Sequence, residues 1–150
     1  MTSSYYLKCH DFFDGKISLL KNHIRELKEK LSKEDYIHHE MVKLAARVRR
    51  ATLEVIPQNP NRRDYLLSRE LKKFRRYKQG LQRYRLIFCF STTPKIIIYL
   101  YLNDVFHLRK QGDKGDPYKE FSQLLKNGKF SHDPADKKIK KWIKEYKDWT

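Results

Sequence analysis

Cysteine is nearly absent. Cys9 and Cys89 are the only two in 150 residues, and 80 positions separate them. That separation excludes a disulfide framework and a short-spaced zinc motif, and it fits a reducing compartment. Glycine is sparse, with five residues, and no Gly-rich phosphate loop, nucleophile elbow or paired-acid motif is present. Long apolar runs are missing as well. The longest, IIIYLYL at 96–102, has seven residues. It is too short to span a bilayer and about right for a buried strand. The opening MTSSYYLKCHDFF has no basic segment followed by an apolar one, so no secretory signal is expected. Acidic residues are the last shortage: 18 Asp+Glu face 34 Lys+Arg, leaving a net charge of +16. Such an excess attracts polyanions: nucleic acid, an acidic protein or an anionic membrane.

What is present argues for one folded unit. Hydrophobic residues make up 39% of the chain, and they are patterned, which separates it from a disordered polycation. Ile17, Leu20, Ile24, Leu27 and Leu31 make one helical stripe. Ser32 or Asp35 can cap a second helix, whose stripe runs Ile37, Met41, Leu44, Val48, Ala51, Val55 and is expected to stop at Pro57. The short connection predicts an antiparallel helical hairpin over residues 1–56. Over 62–104 the period changes to that of strands: Phe74–Phe90, folded at Gly80-Leu81-Gln82, then Lys95–Leu102. The last of these is apolar on both faces and should be covered on both. Asp116-Pro117 opens a helix at 116–128 that Asn127-Gly128 ends. After Asp133-Pro134, a basic helix at 134–149 carries Ile139, Trp142, Ile143 and Tyr146 on one face. Blocks of helices and of strands predict an α+β fold in a single domain, 1–150, with a helical hairpin packed on a small antiparallel sheet.

The stretch RYKQGLQRYRLIFCF, residues 76–90, starts basic and ends apolar. Read as a hairpin, it places Arg76, Lys78, Arg83 and Arg85 on one surface, with Arg75 on the opposite face. Cations gathered without acids suit phosphate, and arginine suits it bidentately, although the same run reads equally well as a solvated strand face. A polar loop after the buried strand, Asn103 to Tyr118, adds Arg109 and Tyr118, while Asn103-Asp104 reads equally well as a simple turn. The six histidines show no metal-ligand spacing, so no metal is expected. His107, in the polar loop, reads first as a surface histidine without a task, and otherwise as one that could titrate near neutrality.

FRRYKQGLQRYRLIF from Phe74, then IIIYLYLND, then LRKQGDKGDPYKEFSQLLKNG resemble the YhaV group of toxins. These belong to the RelE-like superfamily, in bacterial type II toxin–antitoxin pairs. The resemblance covers about residues 55–130. It is carried by Arg76, Lys78, the RYRL of 83–86, Asn103-Asp104, Leu108-Arg109, Gly112, Lys114, Asp116, Tyr118, Phe121 and Leu124-Leu125. It implies a bacterial, cytoplasmic endoribonuclease that needs no cofactor. A ribose 2′-hydroxyl would attack its own 3′-phosphate on an mRNA, with or without the ribosome. Arg85, with Arg76 and Arg109, would stabilise the phosphorane. Arginine stays charged, so Lys78 or Tyr118 would move the protons, with His107 a third possibility. RNA contacts are expected from Arg75, Arg83, His107 and Lys114. The implied protein partner is an AbrB-like antitoxin, with promoter DNA reached only through that complex and no membrane involved. A gyrase poison on the same scaffold and a non-catalytic nucleic-acid-binding module are the competing readings.

Overall fold

The computed structural model describes residues 5–110, 113, 115–130 and 145–150. Its centre is the apolar run. Strand β4 (Lys95–Leu102) has every residue from Ile96 to Leu102 buried. It pairs antiparallel with β3 (Leu86–Thr92), which pairs antiparallel with the short β2 (Arg75–Tyr77). The expected three-strand meander is therefore present, and both faces of β4 are covered. Ile97, Tyr99 and Leu102 pack toward the N-terminal helices, while Ile96, Ile98 and Leu100 face Phe74, Phe121 and Phe130.

Two strands were not foreseen. Strand β1 (Tyr6–Cys9) runs parallel to β4, with Tyr6 opposite Ile96 and Cys9 opposite Tyr99. Near the other end of the chain, Lys147–Asp148 adds a short antiparallel edge strand beside β1, giving the order β2-β3-β4-β1-Lys147–Asp148. Lys8 pairs with Asp148 across that edge, and the Trp149 N–H donates to the Leu7 carbonyl. Neither strand is long enough to show a period, and Lys8 breaks the apolar pattern of the first.

Helix α1 (Asp11–Lys30) buries Phe13, Ile17 and Leu20 on β4. Its cap is His10, whose Nδ1 accepts from the Phe12 N–H at 3.0 Å. Burial pushes the His10 imidazole toward its neutral form, which keeps that lone pair available. The second arm of the hairpin is not one helix. It divides at an extended His39 into α2 (Lys33–His38), capped by Ser32, and α3 (Glu40–Arg50), capped by His39 itself. Ile37, placed in the apolar stripe by spacing, is consequently exposed. The helical path does not stop at Pro57. It loosens into a π-helical turn at Ala51–Val55 and a 3₁₀ turn at Ile56–Gln58 that contains the proline. Thr52 marks the change. Its hydroxyl donates to the Val48 carbonyl at 2.8 Å, while its own carbonyl accepts from the buried Tyr99 hydroxyl at 2.6 Å.

The expected long hairpin is cut short. Residues 78–85 are not strand but two consecutive turns, with Gly80 and Gln82 at φ of 74° and 55°. Leu81 between them is buried in the core, and Arg47 donates to the Gly80 carbonyl at 2.9 Å. Burial of Leu81 overrides the alternation that a hairpin needs. Helix α4 (Pro117–Lys126) begins and ends as its caps predict, with Asp116 accepting from the Tyr118 N–H and Gly128 at φ 78°. Most of the basic helix expected at 134–149, with Ile139, Trp142 and Ile143, lies outside the described residues, as does Lys114. Among the described residues, no helix is long and apolar enough to cross a membrane.

Candidate functional site

Arg76 is the middle residue of β2, so backbone pairing with Ile87 fixes where its side chain starts. Tyr118 is in the first turn of α4, one residue past Pro117. These elements meet: Arg76 Nη1 donates to the Tyr118 hydroxyl at 3.1 Å. Arg109 reaches the same ring from the loop after β4. The Arg109 guanidinium lies 5.0 Å from the ring centroid and that of Arg76 lies 5.7 Å from it. One phenol is thus held between two cations. The three side chains line an open cleft of about 310 Å³, together with Ser68, Glu70 and Ser122.

Arg109 is fastened from behind. Its Nη1 donates to Asp116 Oδ1 at 2.7 Å, and the Asp116 side chain is only 4% exposed. The same carboxylate accepts the Lys110 N–H at 3.0 Å and caps α4 through the Tyr118 N–H at 3.1 Å. Asp116 therefore sets both Arg109 and Tyr118. Asn103, at the end of β4 and buried, sets the loop. Its Oδ1 accepts from the Arg85 N–H at 2.7 Å, and its Nδ2 donates to the carbonyls of His107 and Arg83 at 2.7 and 3.2 Å. The Arg109 N–H donates to the Arg83 carbonyl at 2.8 Å, and Arg83 Nε donates to the Arg109 carbonyl at 3.1 Å.

Of the residues expected at the site, the cleft gathers Arg76, Arg109 and Tyr118. Arg83 and Arg85 belong to the loop beside it. The Arg85 guanidinium turns to the carbonyls of Gln82 and Tyr84 in its own loop. Lys78 is exposed just beyond the end of β2 and does not line the cleft. Arg75 points away, over the Phe90 ring, and donates to the carbonyls of Lys72 and Phe74. Burial pulls its guanidinium below the usual range. His107 contacts two carboxylates, Asp104 and Glu120. Reasoning from sequence missed Glu70, the one carboxylate among the described residues of the cleft lining, which sits in a single 3₁₀ turn too short to show a period. It also missed Asn103 and Asp116 as holding groups. Among the described residues, no group of three His, Cys, Asp or Glu side chains is placed to hold a metal ion.

Beside the cleft, Asp104 takes Lys16 Nζ on one oxygen at 2.7 Å and His107 Nδ1 on the other at 2.8 Å. Burial raises its carboxyl, but these hydrogen bonds and the Lys16 charge outweigh burial and hold it below its ordinary value of 3.8. A depressed carboxyl stabilises the fold above its unfolded value, and that contribution is lost as pH falls through the folded one. Asp104→Asn should therefore cost most stability at neutral pH. Thermal melts should show the gap from wild type closing below about pH 4; a gap independent of pH would contradict this.

Comparison with known proteins bears on this arrangement. Residues 7–141 match the family model described as a toxin with endonuclease activity, of toxin–antitoxin system. The ribonuclease toxin YhaV of Escherichia coli K12 is 34% identical over 139 residues, covering 89% of this chain and 88% of that protein. The YhaV toxins of strains O157:H7 and O6:H1 match with the same identity and coverage. No solved structure matches significantly. The match runs through β1, the whole β2–β4 meander, the cleft and α4, and by it the chain belongs to the YhaV family of toxins, the endonuclease toxins of toxin–antitoxin systems.

Proposed function

We propose that this protein is a ribonuclease toxin that cuts RNA at the Arg76–Arg109–Tyr118 cleft. The ribose 2′-hydroxyl attacks the adjacent phosphorus, the bond to the 5′ oxygen breaks, and a 2′,3′-cyclic phosphate remains. The observation that carries this reading is the convergence of two guanidinium groups on one phenol in an open cleft. Dianionic charge grows on the phosphorane oxygens, and fixed cations that need no rearrangement lower that barrier most. Arg76 already donates to the Tyr118 oxygen. The phenolic proton is then left to point elsewhere, toward the departing 5′ oxygen. Glu70, in the cleft lining, is the proton acceptor for the 2′-hydroxyl, and Lys78, off the cleft, is left for a flanking phosphate. Arg83 and Arg85 extend the basic track for flanking phosphates; Arg75, on the far face, and Lys114, by its place in the sequence, are taken as further RNA contacts.

On this reading, residues 1–150 act as one toxin unit in the bacterial cytoplasm, on mRNA with or without the ribosome. An antitoxin partner follows from family membership, and we take it to be AbrB-like and acidic where it meets this +16 chain. Promoter DNA is reached through the complex. Purified protein incubated with RNA in EDTA tests the chemistry. Fragments with cyclic phosphate and 5′-hydroxyl ends are expected. RNA left intact both with and without ribosomes would overturn the proposal.

A further inference from the structure

Five side chains beside the cleft form one unbroken line of hydrogen bonds: Lys16, Asp104, His107, Glu120 and Tyr101. Lys16 Nζ donates to Asp104 Oδ2 at 2.7 Å, and Asp104 Oδ1 lies 2.8 Å from His107 Nδ1. His107 Nε2 is 2.7 Å from Glu120 Oε2, and the Tyr101 hydroxyl donates to Glu120 Oε1 at 2.6 Å. The line crosses three elements and the loop: α1, the end of β4, the loop, and α4. Every oxygen of the two carboxylates is taken.

The imidazole is the informative member. An ionised carboxylate can only accept, and a neutral imidazole has a single N–H. A neutral ring between Asp104 and Glu120 would set a nitrogen lone pair against an oxygen lone pair on one side. Lys16 and the Phe106 N–H hold Asp104 ionised against its burial, and Glu120 Oε1 accepts a hydrogen bond from the Tyr101 hydroxyl, which keeps its proton. The arrangement closes when both ring nitrogens carry hydrogen. The same two carboxylates make this a poor place for RNA, because a phosphate approaching the ring would meet their negative charge at close range.

We propose that His107 is a positioning residue, an imidazolium that clamps the loop to α4 and thereby places Arg109 against Tyr118. The inference rests on the cleft being the cleavage site. Arg109 is two residues beyond His107, and Glu120 is on the same helix as Tyr118, one turn after Asp116. The His107 carbonyl is also held, by Asn103 Nδ2. Two anchors therefore bracket the approach of the chain to Arg109. A misplacement of a catalytic group by about 1 Å costs up to roughly 100-fold in rate.

Long-range ¹H–¹⁵N spectra of the intact protein without RNA, assigned by loss of signal in His107→Gln, read the ring directly. Hydrogen on both nitrogens at neutral pH is expected; a neutral tautomer would overturn the clamp. Kinetics provide the second reading. His107→Gln should lower kcat roughly 10- to 100-fold and leave KM for RNA within about twofold. A raised KM with kcat unchanged would make His107 an RNA contact and refute positioning. Should His107→Gln fail to fold, Glu120→Gln replaces it. An amide there can donate to Nε2, so the ring should turn neutral while Nδ1 still donates to Asp104; a ring that stays doubly protonated would overturn the clamp. The spectra contain no RNA. A failure of the cleavage reading would therefore appear as an Arg109-independent activity, with the ring signature unchanged.

Discussion

Arg109→Ala is expected to lower the rate of RNA cleavage by roughly 10²–10³-fold, the usual cost of deleting one fixed donor to a developing oxyanion. The effect should fall on kcat more than on KM, because the cation matters most when the phosphorane charge peaks. Expression of the variant without an antitoxin should no longer arrest growth. The substitution also strips Asp116 of its one side-chain partner among the described residues, leaving a buried carboxylate there on backbone donors. About 1–3 kcal/mol of stability should go with it, so rates must be compared below the lowered melting temperature. Arg109→Lys separates charge from geometry. A single ammonium cannot hold Asp116 and face the phosphate in a fork, so its activity should stay well below wild type. A variant Arg109→Ala that is folded and cuts RNA at the wild-type rate would remove the cleft from the chemistry.

Asn103→Ala should be the most destabilising single change around the site. It deletes the acceptor for the Arg85 N–H and the donor to the carbonyls of Arg83 and His107. Three bonds at about 1 kcal/mol each, at a buried side chain, give a loss of roughly 3 kcal/mol. For a chain of this size that lowers the melting temperature by about 6–12 °C. Asn103→Asp keeps the acceptor and loses the donor, so it should fall between alanine and wild type at neutral pH. A melt of Asn103→Ala within about 1 °C of wild type would mean that the loop is held by something other than this amide.

The meander and α4 were legible because their signals are local. Strands β3 and β4 are apolar over a strand's length, and Asp116-Pro117 and Gly128 fix a helix at both ends. Strand β1 and the edge strand Lys147–Asp148 were not, since pairing partners far away in sequence decide them. The site was legible in its residue types. Arg76, Arg109 and Tyr118 share one cleft, although they come from a strand, a loop and a helix. The alternation rule was extended too far at residues 78–85. Buried Leu81 pulls that segment into turns and leaves Lys78 and the Arg85 guanidinium off the cleft. Roles that depend on a buried polar atom meeting its partner, as for Asn103, Asp116 and His107, have no one-dimensional signature.

The parallel pairing of β1 with β4 governs the timing of assembly. Tyr6 sits opposite Ile96, so its partner lies 90 residues further along. Contacts of such long range form late and slow folding, because the intervening chain must be ordered before they repay its entropy. During synthesis β1 has no neighbour until β4 emerges, and the loop that delivers Arg109 follows immediately after β4. The cleft therefore cannot precede the sheet, and on the proposed reading a growing chain passes through most of its length before it could cut RNA, the class of molecule from which it is being read.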